Sequence, residues 1–351
     1  MLLVKPYLGC NRHCAYCFEG AWREDARPAM DYDIEKVLQS MHDNLNGSRI
    51  ACLHGGEPLM LPTEDIDRIL QKGHQLTGRT AIQTNGFLLD DDHITIFKRY
   101  NTGVGVSYDG FGDLNKARMN KNEADEIWQK IKRLIKAGIR TSIIVVVSRA
   151  NAGSKDKLKR LEQFLIETKK QGVVVGRLNP CDHPKWVLPD NKLREVYRDL
   201  ALFVMENNIH WGPFTDMWNS LQRHGPVVCV FRGCNPSNTQ AATVILGNGS
   251  VTNCIKMSIK NDFKREDGPN LRTKALLTKP QDKGGCLGCP WWNYCHGGCP
   301  AEGINDDWQN RSIFCPIYKE IFPLYRNIQA WQRPSSPQRG GREIAKRKEG
   351  V

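Results

Sequence analysis

At 351 residues and 39.9 kDa the chain is long enough for one large domain or two ordinary ones, and its composition, 40% hydrophobic and 25% charged, is that of a globular protein. No stretch approaches the roughly 20 consecutive apolar residues that span a bilayer, and "MLLVKPYLGC" meets Lys5 and Pro6 before a signal-peptide core could form. Neither a membrane span nor an export signal is expected, and the chain is placed in the cytoplasm. The formal charge of +12 would suit an acidic partner, but much of the excess lies in "RPSSPQRGGREIAKRKEG". Residues 331–351 are expected to form a disordered basic tail, and nothing resembling an RNA-recognition motif points to nucleic acid.

Short apolar runs alternate with helix-period segments to about residue 210. Candidate strands, in order, are "LLVKPYL", "SRIACLHG", "RTAIQTN", "TGVGVSYDG", "RTSIIVVVS" and "GVVVGRLNP". Between them lie segments such as "DYDIEKVLQSMHDNL", "TEDIDRILQKGHQL", "EADEIWQKIKRLIKAG" and "KDKLKRLEQFLIETKK". Strand and helix repeated about six times imply an α/β fold with a parallel sheet, either doubly wound or rolled into a partial barrel. Ligands collect at the carboxyl edge of the strands in both cases. A helical bridge, "NKLREVYRDLALFVMENN", leads to about residue 225. From 226 to 330 the chain is turn-rich and cysteine-rich, with a hairpin in "TVILGNGSVTNC" whose Gly247 and Gly249 are expected to supply positive backbone angles. This second, smaller unit is expected to be held by metal rather than by an apolar core.

The 13 cysteines are too many, and odd in number, for a disulfide framework in a reducing compartment, where dense thiols hold metal or do redox chemistry. Three of them, Cys10, Cys14 and Cys17, crowd into "CNRHCAYC". Three thiolates can bind a 4Fe-4S cluster and leave one iron without a protein ligand; a structural zinc or a cluster completed by a distant cysteine is the plainer alternative. The C-x3-C-x2-C spacing, with Tyr16 before the last cysteine, resembles that of the radical S-adenosylmethionine (SAM) superfamily. The resemblance implies a partial (β/α)6 TIM-like barrel, in which the amino and carboxylate groups of SAM chelate the open iron and the sulfonium is reduced to release a 5'-deoxyadenosyl radical.

The other strand ends add to it. "HGGEP" resembles the family's GGEP motif: Gly55 and Gly56 would let the backbone approach the cosubstrate and Glu57 would offer a carboxylate to its ammonium group. Gln83 and Asn85 in "QTNG", with Ser107 and Asp109 in "SYDG", match family positions near the cosubstrate. Arg118 and Arg149 are candidate partners for the methionine carboxylate, or ordinary surface cations.

In the C-terminal region "CLGCPWWNYCHGGC" reads C-x2-C-x5-C-x3-C, and with Cys234, Cys254 and Cys315 it resembles the seven-cysteine SPASM extension of radical SAM enzymes. Cys229 makes an eighth thiol. The family pattern assigns Cys229, Cys234, Cys254 and Cys299 to one auxiliary 4Fe-4S cluster and Cys286, Cys289, Cys295 and Cys315 to a second, three clusters in all; a pair of zinc sites is the competing reading. Trp291, Trp292 and Tyr294 are expected to shield cluster sulfur from water.

Where the sulfatase-maturing branch of the SPASM group carries a catalytic aspartate after the cysteine equivalent to Cys254, this chain has Ile255, which disfavours sulfatase maturation. The leading expectation is modification of a ribosomally made peptide by cross-linking, thioether formation or epimerisation, with a flavodoxin- or ferredoxin-type reductant. The first strand is expected almost at residue 1, without the winged leader-binding domain of many peptide-modifying members, so a separate protein or the barrel mouth would be expected to bind a leader. The alternative substrate is a carbohydrate or aminocyclitol. Cys181, just past the sixth strand, is a candidate hydrogen-atom donor or a plain buried thiol, with Asp182 and His183 as nearby acid–base candidates. Cys52 is expected in the core.

Overall fold

The computed structural model describes residues 1–20, 31–173, 175–234, 242–256 and 271–328; the basic tail expected at 331–351 lies outside the described residues. Six parallel strands, β1 (Leu2–Lys5), β2 (Ala51–Leu53), β3 (Thr80–Thr84), β4 (Thr102–Ser107), β5 (Thr141–Val147) and β6 (Val175–Pro180), lie side by side in chain order. A doubly wound sheet reverses its order at a switch point, whereas monotonic order is that of a barrel. The sheet ends at β6 on one side and at the added strand β8 on the other, and is a partial barrel.

Alternation assigns the two faces. Along β5, Thr141, Ile143, Val145 and Val147 are buried under the helices while Ser142, Ile144 and Val146 face the lumen. The same period turns Cys52 away from buried Ala51 and Leu53, so the thiol expected in the core is a half-buried lumen residue instead.

The helices α1 (Ile34–Asp43), α2 (Thr63–Thr77), α3 (Asp91–Arg99), α4 (Lys121–Lys136) and α5 (Lys155–Lys170) cover the outer face. In α4, Ala124, Ile127, Ile131 and Leu134 recur at helical spacing and are fully buried, each large side chain stabilising the fold by roughly 1.5–3 kcal/mol. A capping box starts this helix: Asn120 accepts from the Glu123 amide at 3.0 Å and Glu123 accepts from the Asn120 amide at 2.9 Å.

Beyond the barrel come α6 (Asp190–Glu206), α7 (Phe214–Leu221), the hairpin strands β7 (Thr243–Leu246) and β8 (Val251–Thr252), α8 (Leu271–Thr278) and α9 (Cys315–Asn327). The hairpin belongs to the barrel sheet: β7 pairs in parallel with β1, Leu2 opposite Thr243 and Lys5 opposite Leu246. At its turn Gly249 alone takes a positive φ, +80°. Gly247 is required for another reason, since a Cβ there would lie 2.3 Å from the Pro6 carbonyl oxygen.

The C-terminal region also has an apolar core. Phe314, Ile317, Ile321, Phe322 and Tyr325 join the buried cluster of the barrel, and Trp291, expected to shield sulfur, stacks on Phe322 at 5.6 Å. Tyr325 meets Trp218 of α7 edge-on. Packing, and not metal alone, therefore fixes this region on the barrel.

Gly176 in β6 faces buried Trp211, and a Cβ there would lie 2.4 Å from the indole ring. Gly176→Ala is expected to cost about 1–3 kcal/mol by overpacking, read as a lower urea midpoint of the full chain; an unchanged midpoint would contradict this packing.

Candidate active site

The loop that carries Cys10, Cys14 and Cys17 leaves β1 and is fixed by partners from four strand ends. The carbonyl of Tyr7 accepts from the Gly56 amide at 3.2 Å and that of Gly9 from the Glu57 amide at 2.8 Å. A Cβ on Gly56 would lie 2.0 Å from Gly9 O, and one on Gly55 would lie 2.6 Å from Tyr7 O. The two glycines thus answer to the backbone of the thiol loop.

Glu57 is 1% exposed and its carboxylate faces inward. It accepts from the amides of Leu59 at 3.0 Å and Asn85 at 2.6 Å and from Thr84 Oγ1 at 2.6 Å. Through these bonds Glu57, the carboxylate expected near an ammonium group, also sets Asn85. Asn85 Nδ2 then donates to Asn11 Oδ1 at 2.8 Å and to Cys10 Sγ at 3.7 Å.

Asp109 does the same for the loop's other half. It is buried, accepts from the Val146 amide at 2.9 Å and from the Tyr16 hydroxyl, and lies 3.6 Å from Arg118 Nε. Burial raises its pKa, opposed by the Arg118 cation and by hydrogen bonds from Tyr16 and Val146. Arg118 also donates to Cys14 Sγ at 3.9 Å and lies over the Tyr16 ring. Its side chain is 9% exposed, and in this position it braces the loop and places positive charge beside a sulfur. Arg149 is exposed and donates to Val187 O at 2.7 Å, in the segment after β6. Gln83 donates to Ser107 Oγ at 3.0 Å across the lumen face, over Gly105, where a Cβ would strike its amide oxygen.

A cavity of about 670 Å³ opens between residues 12–20 of the thiol loop, residues 182–184 and residues 301–313 of the C-terminal region. Lys256 spans the two sides, 2.7 Å from Glu302 and 3.4 Å from Asp182. Asp182, an acid–base candidate, is therefore an ion-pair partner, while His183 lines the cavity. Cys181 is 2% exposed and packs with Tyr16, Ala117 and Ala150 against Cys14. Burial pushes its thiol up to about 11, which keeps the S–H bond intact at neutral pH.

The eight C-terminal thiols fall into two neighbourhoods. Cys234 shares a hydrogen bond with Cys229 and senses the charges of Cys299 and Cys254, whereas Cys295 senses those of Cys315, Cys286 and Cys289. Among the described residues no three His, Cys, Asp or Glu side chains converge on a single-ion position. In a cubane each thiolate sits on a different iron, so its ligands need not converge.

Sequence reading missed several of the site's anchors. Arg12 makes a two-pronged pair with Glu123, at 2.8 and 2.9 Å, and lies 3.9 Å above the Phe87 ring. Lys5, 2% exposed, is paired with Glu19 inside the barrel. The partners are distant in sequence or obscured by another role, as Glu123 is by its capping box. Only the oddity of a lysine ending an apolar strand could have flagged Lys5.

Comparison with known proteins agrees with this geometry. The Radical SAM superfamily pattern matches residues 4–161. A cysteine-type anaerobic sulfatase-maturating enzyme of Clostridium perfringens is 26% identical over 92% of this chain and 95% of its own length. A serine-type enzyme of Bacteroides thetaiotaomicron is 31% identical over 43% and 40%. Among solved structures, native anSMEcpe with bound AdoMet shares the fold at TM-score 0.73, with 18% identity over 93% of this chain and 98% of that one. Streptococcus suis SuiB bound to its precursor peptide SuiA does so at 0.61, with 19% identity over 90% and 75%. No described helix is long and apolar enough to cross a membrane. The chain carries a radical SAM domain over residues 4–161, and it is a radical S-adenosylmethionine enzyme.

Proposed function

We propose that this enzyme modifies a ribosomally made peptide through a 5'-deoxyadenosyl radical, with Cys10, Cys14 and Cys17 holding the radical-generating cluster and the residue 1–210 barrel acting with an auxiliary-cluster region over 226–330. What supports the reading is the cavity of about 670 Å³, walled by the thiol loop on one side and by residues 301–313 on the other. Its volume suits the entry of one or two side chains. Structures of the same fold point the same way: anSMEcpe is solved with the bound Cp18Cys peptide and SuiB with its precursor peptide SuiA.

The donor set fits the implied cluster. Three half-buried thiols stand together with N–H groups of Asn85 and Arg118 directed at the sulfurs of Cys10 and Cys14. Such donors would hydrogen-bond the sulfurs of a bound cluster and help to orient them. A 4Fe-4S cluster held by Cys10, Cys14 and Cys17 would supply an iron open to SAM and the electron for its reductive cleavage. The chain's own work is to hold and shield: Glu57 fixes Asn85, Asp109 fixes Tyr16 and Arg118, and Gln83 and Ser107 present polar groups on the lumen face for the nucleotide. Cys181, with its proton retained, is buried against Tyr16 one residue before the cavity-lining Asp182 and serves as a hydrogen-atom donor to a substrate radical. Cys229, Cys234, Cys254 and Cys299 are assigned to one auxiliary cluster, and Cys286, Cys289, Cys295 and Cys315 to another. Ile255 stands where sulfatase maturases carry a catalytic aspartate, so the product is a modified peptide other than a matured sulfatase. A flavodoxin- or ferredoxin-type protein supplies electrons.

Anaerobic reconstitution is expected to give about 12 irons per chain, about four per cubane, with strong reductant releasing 5'-deoxyadenosine from SAM. Cys14→Ala should retain about eight irons and abolish that release. Mass spectrometry of peptides encoded beside the gene should then show a SAM-dependent mass or stereochemical change; unchanged peptides alongside conversion of a sugar would overturn the substrate class. Glu57→Gln would set an amide donor against buried N–H groups at a cost of about 1–3 kcal/mol; the thermal midpoint and occupancy of the N-terminal cluster should both fall, and retention of both would contradict the anchoring role. Cys181→Ala should leave SAM cleavage intact and remove epimerised product, whereas normal product formation would rule out the donor.

A further inference from the structure

Among the described residues of the C-terminal region, one fully buried cation has no carboxylate partner. Arg272 on α8 is 3% exposed, and its hydrogen bonds to the described residues all go to backbone carbonyls: Nε to Trp308 at 2.9 Å, Nη1 to His296 at 3.2 Å, and Nη2 to Gly297 at 3.3 Å and Asn310 at 3.4 Å. Carbonyls satisfy the geometry of a guanidinium but leave its charge uncompensated, and a buried charge without a counter-charge is strongly disfavoured. The position of the carbonyls shows where that counter-charge would come from. His296 and Gly297 occupy the short span between Cys295 and Cys299, which belong to different thiol quartets. Burial works against this cation, and thiols of both quartets lie near enough to favour it, Cys234 and Cys299 from one and Cys286 and Cys295 from the other. Other cations near the thiols differ. Arg177 is paired with Asp216 and Lys256 with Glu302, and Arg311 neighbours thiols of the second quartet, Cys286 and Cys315.

We propose that Arg272 is a shared counter-ion wedged between the two auxiliary clusters, positioning the Cys295–Cys299 peptide and raising the reduction potentials of both. This rests on the reading that the eight thiols hold two cubanes. A thiolate-ligated 4Fe-4S centre is anionic and gains a further negative charge on reduction, so a fixed nearby cation favours the reduced state. One guanidinium placed between two such centres acts on both, and reduction of either weakens its support of the other. The residue thereby makes the pair suited to accept an electron released from substrate after hydrogen abstraction.

The test is an EPR-monitored redox titration of the reconstituted full chain as wild type, Arg272→Gln and Arg272→Lys, following all three clusters. In Arg272→Gln both auxiliary midpoints should move negative, by at least a tenfold change in the reduction equilibrium, which is about 59 mV for one electron, while the N-terminal cluster stays in place. Arg272→Lys, which keeps the charge, should remain near wild type. Three clusters with unchanged auxiliary potentials in Arg272→Gln would overturn the counter-ion role, as would equal loss of both auxiliary clusters in the Gln and Lys variants, which would mark a purely structural clasp. Wild-type protein with only one cluster would instead overturn the underlying cluster assignment.

Discussion

Two buried carboxylates, Glu57 after β2 and Asp109 after β4, hold the irregular loop on which the chemistry depends. A segment with three thiols and little regular structure would lose much conformational entropy if ordered only by a ligand. Here its ordering is built in. Glu57 collects two amides and a hydroxyl and thereby fixes Asn85 against Asn11 and Cys10; Asp109 collects an amide and a phenol and steadies Arg118 against Cys14. Each desolvated carboxylate is compensated by hydrogen-bond donors, which makes these buried anions tolerable. Arg12 with Glu123 and Lys5 with Glu19 pin the loop at further points. A cradle of this kind keeps the sulfurs apart and oriented before any metal arrives.

The same loop forms one wall of the cavity, and the opposite wall depends on how the C-terminal region is docked. Three kinds of contact fix it: β7 adds a strand beside β1, α9 packs on α6 and α7, and Lys256 joins Glu302 to Asp182. A region tied to the barrel by sheet pairing and an apolar core presents a stable wall. Substrate selection can then rest on the residues lining that wall.

Much of this was legible in sequence, for physical reasons. Parallel strands buried on one face by helices read as short β-branched runs, as in "SIIVVVS", and helices read by their 3.6 period and caps, as at Asn120 and Glu123. The strand order was not legible, because strand–helix repeats fit both a doubly wound sheet and a barrel. Which way a buried group points was hidden as well. "HGGEP" gives no sign that Glu57 turns inward or that Gly56 abuts Gly9, because the first depends on Thr84 and Asn85 at the end of the next strand and the second on a loop far earlier in the chain. Cys52 was assigned to the core by its setting, yet strand alternation, once anchored by Ala51 and Leu53, places it in the lumen. Arg272 lies in an ordinary helical stretch, and only the fold brings it to the peptide between Cys295 and Cys299.

The account turns on a cluster at Cys10, Cys14 and Cys17 that keeps one iron open to SAM. Pulsed electron–nuclear double resonance of the reduced protein, mixed with SAM labelled with ¹⁵N at the amino group and ¹³C at the carboxylate, reads that directly. Hyperfine coupling from both labels to the N-terminal cluster is the predicted result. A spectrum indifferent to SAM, with no coupling from either label, would contradict it.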